Sequence, residues 1–213
     1  MQLPTLIDIP IEHINLLKSD YYRHSRNTLN GMEKLSDIWN LQSVKDLVEH
    51  LCFNVDDLVG DTFYRHTYSY FPHADAPAID SNKYLQLVVP LEKEYDDDQY
   101  FIIFDQCSAI GFATWTGLLE QDINYVQNTQ VKGYIKKQDI TNFVEDGISD
   151  EFANKYLPYP KHWYKGLSAN AYEWTPGKGI IFPSNRIHGS GKIPVGKYKL
   201  GLSLKFKLHQ NVY

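Results

Sequence analysis

The sequence predicts a mainly β domain of the α+β type, a β-sandwich or jelly-roll barrel backed by helices at its N-terminal end. Three observations predict it. Residues 197–208 alternate without a miss, with Tyr198, Leu200, Leu202, Leu204, Phe206 and Leu208 on one face and Lys197, Lys199, Gly201, Ser203, Lys205 and Lys207 on the other, which is the period of a strand. Aromatic residues make up 14% of the chain, and 16 of them are tyrosines, which favour strands and amphipathic walls. Helix-like patterns come first and strand-like segments follow at irregular spacing, with no internal repeat or low-complexity tract.

A chain of 213 residues, 43% hydrophobic and 22% charged, fits a single domain over residues 1–213, and its composition excludes disorder and a disulfide-stapled mini-protein. The formal charge of −5 repels phosphate backbones and anionic lipid, so neither nucleic acid nor membrane is an expected partner. Cys52 and Cys107 cannot build a disulfide framework or a zinc cluster by themselves and suit a reducing compartment, so a cytoplasmic location is expected. Residues 1–4 lack a basic stretch leading into a signal-type apolar core, and no run of about 18 apolar residues occurs.

Residues 1–60 read as a helical N-terminal support. Val44, Leu47, Val48 and Leu51 recur at helical spacing behind Ser43, a candidate cap, and the polar, Tyr- and His-containing residues 18–40 read as helix around an Asn30-Gly31 turn signal. Residues 61–106 and 177–208 hold the core strands. The first runs over residues 62–71 and stops at Pro72; two more cover 84–91 and 100–104, joined by the acidic stretch 92–98, read as a solvated loop rather than a metal site. Residues 107–176 mix a helical pattern at 150–156 with Gly, Asn, Pro and aromatic residues and read as an insertion or lid. Within it, the aromatic residues of 156–164 suit loop packing and a substrate wall equally. Residues 179–183 form a short buried strand.

Of eight histidines, His73 is the one followed two positions later by a carboxylate, Asp75. About one such pair is expected by chance in a chain of this composition, so context decides. In an extended segment residues i and i+2 project to the same side, so His73 and Asp75 can offer one nitrogen and one oxygen to a common point. A transition metal held there needs a third ligand from another strand, and the candidate is His188, delivered by the buried 179–183 strand. His13, His24, His50, His66, His162 and His209 lack a carboxylate partner at useful spacing and are assigned no role. Locally, His73 and Asp75 also suit a turn pair, and the lysine face of the last strand suits solvent.

His73-x-Asp75, a long interval, His188, and a basic residue eleven positions later on the alternating strand resemble the Fe(II)- and 2-oxoglutarate-dependent dioxygenase superfamily over residues 62–206. The resemblance implies a cupin-like double-stranded β-helix, or jelly roll, with Fe(II) held by His73, Asp75 and His188. It implies 2-oxoglutarate as co-substrate, O2 as oxidant, ascorbate as a stimulant, and release of succinate and CO2. The far carboxylate of 2-oxoglutarate would pair with Lys199, or with Lys197 if the register shifts, assisted by Ser203; most relatives use arginine there, and Gly201 stands where many carry serine or asparagine. A hydroxyl from Tyr64, Tyr68 or Tyr70 is a further contributor. A carboxylate at Asp75, rather than the small residue of halogenating relatives, implies hydroxylation or demethylation. The expected substrate is a peptidyl side chain or a small molecule, oxidised at a C–H bond. A nucleobase is an alternative, because Lys199 and Lys205 match the six-residue spacing, though not the residue type, of the two arginines that nucleobase demethylases in this superfamily carry. A cupin-like binding module without catalysis is the other. A family-like barrel turns Lys199 inward and packs Leu200, Leu202 and Phe206 on outer helices, whereas a solvent-facing lysine face contradicts it.

Overall fold

The computed structural model describes residues 4–24, 27–29, 32–75, 83–94, 99–109, 113–115, 134–135 and 139–208. Two mainly antiparallel sheets face each other, the layered arrangement of a jelly roll. The larger sheet has the order β1 (Thr5–Asp8), β11 (Lys178–Pro183), β6 (Tyr84–Lys93), β13 (Lys199–Lys207), β4 (Leu58–His66), β3 (Met32–Ser36), β2 (Asn27–Leu29). The smaller has the order β10 (Ala169–Glu173), β7 (Tyr100–Cys107), β12 (Arg186–Ser190), β5 (His73–Ala74), β8 (Ala113–Trp115), β9 (Tyr134–Ile135). Several strands consecutive in sequence fall in opposite sheets, as in β4–β5, β6–β7 and β12–β13, and this winding brings distant residues together.

The alternation of β13 decides the layering. Leu200, Leu202, Leu204 and Phe206 are buried against Ile14, Leu17 and Tyr21 of α1 (Ile11–Arg23) and Val44, Leu47 and Val48 of α2 (Gln42–His50). Both helices show their apolar stripes at helical spacing, and covering the outer sheet face removes those stripes from water. The opposite face of β13 turns between the sheets, where Val88, Phe101, Ile103, Trp174, Ile180 and Phe182 form a second core. A third cluster, around Phe104, Tyr164 and Ile187, covers the outer face of the small sheet together with α3 (Asp150–Tyr156). Among the described residues no helix is long and apolar enough to cross a membrane.

Several local expectations need correction. Residues 18–40 are not one helix: α1 ends at Arg23, and β2 and β3 pair antiparallel as an extension of the large sheet. Ser43 does not cap α2; its hydroxyl donates to the Asp20 carboxylate at 2.5 Å and ties α2 to α1. The strand expected over 62–71 ends at His66, because the chain there must leave the large sheet for the small one. β10, inside the expected insertion, is a strand of the small sheet paired with β7. Of the acidic stretch 92–98, residues 95–98 lie outside the described residues; Glu92 accepts hydrogen bonds from Tyr22 and Tyr198 and pairs with Lys18. In the 156–164 stretch, Tyr159 and Trp163 stack with Phe71 at 4.4 and 5.7 Å, and Tyr159 donates to the Ser69 carbonyl, so these two rings pack a loop.

Gly201 fills a position that no side chain can share. A Cβ there would lie 2.8 Å from ring atoms of both Trp174 and Tyr64. Gly201→Ala is expected to lower stability by about 1–3 kcal/mol through overpacking, read as a lower Tm in thermal unfolding.

Candidate metal centre and co-substrate pocket

His73 and His188 are cross-strand partners on β5 and β12, 115 positions apart in the chain, with ring centroids 4.3 Å apart. Each imidazole has its Nδ1 beside a backbone carbonyl, Phe71 O at 2.8 Å and Arg186 O at 3.0 Å. Those contacts place the proton on Nδ1 and leave both Nε2 lone pairs pointing inward, the arrangement that fixes metal-binding histidines. Asp75, one residue beyond β5, completes the group: its carboxylate oxygens lie 3.7 Å from His73 Nε2 and 3.5 Å from His188 Nε2. The ligand atoms of the three residues all lie within 4.8 Å of one another.

Electrostatics prepares these groups as donors. Burial first, then the neighbouring His188, pushes the His73 pKa down to about 4, so the ring is neutral at pH 7. Burial alone would raise the Asp75 carboxyl, but His73, His188 and Lys205 override it and hold the group well below the usual carboxylate range. Two imidazoles and one carboxylate, with the rest of the site open to a pocket, suit non-haem Fe(II).

Gln86 of β6 is a site residue that the sequence did not reveal. Its Nε2 donates to Asp75 Oδ2 and to Ser203 Oγ, both at 3.1 Å, while Lys205 Nζ lies 3.5 Å from the same Asp75 oxygen. Gln86 reads as one more residue in an apolar strand, and only the register that sets it against Lys205 of β13 exposes its role. Gln86→Leu is expected to reduce metal affinity by roughly ten- to a hundredfold through loss of carboxylate orientation, measured by metal titration of the folded variant.

The pocket occupies about 760 Å³, the open solvent at its mouth included, and the metal group, Lys199 and Ser203 all line it. Lys199 is 2% exposed. Its Nζ lies 4.5 Å from the centroid of the Trp174 ring, and burial pushes its pKa down to about 7. A cation this deep costs desolvation that a ring face offsets only in part, so the site is built for an anion. Lys197 does not line the pocket. It lies in the turn before β13, its N–H bonded to the Pro194 carbonyl, two residues ahead of Lys199, which pairs with His66. Tyr64 and Tyr70 line the pocket and Tyr68 does not. His66, assigned no role from sequence, also lines it, opposite Lys199. His209 lies outside the described residues.

No protein-family model matches this chain, and no curated protein matches it by sequence. Solved structures do. HygX from Streptomyces hygroscopicus with nickel and 2-oxoglutarate bound is similar with a TM-score of 0.53 at 11% identity, over 97% of this chain and 83% of that one. A Pseudomonas putida prolyl-4-hydroxylase gives 0.53 at 12% identity, over 97% and 92%. The fold is that of the 2-oxoglutarate- and Fe(II)-dependent oxygenases. A Burkholderia pseudomallei oxidoreductase of the 2OG-Fe(II) oxygenase family is similar as well, with 0.53 at 9% identity over 97% and 84%. In this fold His73, Asp75, His188 and Lys199 line one pocket reached by strands of both sheets.

Proposed function

We propose that this chain is an Fe(II)- and 2-oxoglutarate-dependent oxygenase that hydroxylates a C–H bond of a small molecule or peptidyl side chain. The observation that carries the reading is the joint exposure, in one pocket, of a two-histidine, one-carboxylate group and a buried cation. His73, Asp75 and His188 hold the iron. Iron bound there supplies the redox chemistry that couples decarboxylation of 2-oxoglutarate by O2 to oxidation of the substrate.

The protein's own groups do the rest. Lys199 holds the far carboxylate by a charge-assisted hydrogen bond, and Trp174 beneath it keeps the ammonium in place. Ser203 accepts from Gln86 and lines the same pocket, and its own O–H serves as a further donor to the co-substrate. Phe101 and Val88 give the pocket an apolar wall that limits water near the reacting carbon. A small-molecule substrate is supported by the HygX structure that holds hygromycin B, a neighbour with a TM-score of 0.51. Cys52 and Cys107 are not joined in a disulfide, which supports a reducing, cytoplasmic setting.

The test is direct. Purified protein given Fe(II), ascorbate and 2-oxoglutarate is expected to release succinate by uncoupled turnover, and to develop a visible charge-transfer band when iron and 2-oxoglutarate are added without oxygen. Absence of both signals overturns the proposal in favour of a cupin-like binding module. Mass-shift screening of metabolites and peptides then identifies the substrate.

A further inference from the structure

Among the described pocket residues, His66 is the histidine outside the metal group. It stands on β4 opposite Lys199, is 8% exposed, and sits among Tyr64, Tyr68 and Tyr70 with ring centroids at 4.8, 5.9 and 5.7 Å. Burial first, then the charge of Lys199, holds its pKa well below the ordinary range, so the ring is neutral at pH 7. Its Nδ1 is buried without a hydrogen-bond partner. A neutral imidazole carries one N–H, and a dry N–H with no acceptor is rarer than a dry lone pair. The proton therefore belongs on Nε2, which makes that atom a donor.

A carboxylate has about four lone-pair sites, and a single ammonium leaves most of them unbonded. We propose that His66 is a positioning residue that forms, with Lys199, a two-point cradle for the carboxylate of 2-oxoglutarate farther from the metal, its Nε2–H bonding that carboxylate beside Lys199. The inference rests on the co-substrate reading above. A point charge on a flexible stem fixes distance poorly, and a second donor on a rigid ring gives the pocket the directional recognition that a lone lysine lacks. The pair thus selects a dicarboxylate of the right length over shorter or monocarboxylic 2-oxo acids.

The test uses the full chain loaded with Fe(II) under anaerobic conditions and measures the Kd of 2-oxoglutarate and of 2-oxobutyrate by calorimetry. The two ligands share the metal-chelating end, and only the first has the far carboxylate. His66→Phe keeps the aromatic packing and removes the donor. It is expected to weaken 2-oxoglutarate roughly tenfold or more while leaving 2-oxobutyrate unchanged, and His66→Gln, which restores an N–H, is expected to recover most of the loss. If the phenylalanine variant does not fold, His66→Leu is measured in its place against His66→Gln. Equal weakening of both ligands, or of neither, overturns the role of His66. So does a preference for 2-oxoglutarate that survives His66→Phe but not Lys199→Met. Wild-type protein that binds 2-oxoglutarate no more tightly than 2-oxobutyrate overturns the co-substrate reading and this inference with it.

Discussion

A His188→Ala variant is expected to lose iron retention altogether on desalting, with affinity reduced by more than roughly a hundredfold, beyond what loss of a supporting outer contact costs. The physical reason is the donor count. His73 and Asp75 alone offer two donors, too few to hold a labile divalent ion, and alanine leaves a cavity that water fills without negative charge or fixed direction. The strand itself is expected to persist, because β12 is held by main-chain pairing to β5 and β7 rather than by the imidazole. Metal content after gel filtration, Fe(II) titration and a thermal unfolding curve together check this. A folded variant with native-like metal affinity would remove His188 from the ligand set.

Lys199→Met is expected to raise the 2-oxoglutarate KM roughly ten- to a hundredfold, the loss of one charge-assisted hydrogen bond worth about 1.5–3 kcal/mol. A pH dependence accompanies it. In the free pocket Lys199 titrates at about 7, far below its ordinary 10.5, because burial disfavours the charged form. Bound dicarboxylate favours that charged form, so binding above pH 7 takes up a proton, and wild-type affinity should fall as the pH rises from there, by up to about tenfold per unit. The variant should lack that dependence. For stability the sign runs the other way. The folded pKa lies below the unfolded one, so the cost of the buried charge is fully present below about pH 7 and is relieved as the pH rises toward 10.5. Ligand-free Lys199→Met should therefore be more stable than wild type at neutral and acidic pH, with the difference shrinking in alkali. Calorimetric Kd values and Tm across pH 6–9 check both signs. A larger effect from Lys197→Ala than from Lys199→Met would mean that β13 is out of register with the description above.

Much of this was legible in the linear chain because its signals are local. The alternation of β13 depends on a two-residue period, and the i, i+2 relation of His73 and Asp75 on extended backbone, so neither needs tertiary information. Where such local patterns stop is not written in neighbouring residues. Residues 67–71 carry the same aromatic and β-branched texture as 62–66, and the texture does not record that the chain changes sheets after His66. Gln86 and His66 escaped notice for a related reason: a polar side chain on a strand acquires its partner from a neighbouring strand, and those partners, Asp75 and Lys199, come from other parts of the chain.

The strand-rich architecture, the candidate ligands and the shortlist of cations on the last strand are legible in the linear chain, since periodicity and short motifs are carried by neighbouring residues. It takes the packed fold to show that the lysine face of β13 turns inward, that Lys199 and not Lys197 lines the cavity, and that β5 and β12 meet so that His73 faces His188. Pairing between strands is a long-range choice, made by burying Leu200, Leu202, Leu204 and Phe206 under α1 and α2; that burial commits the opposite face, with its charges, to the space between the sheets.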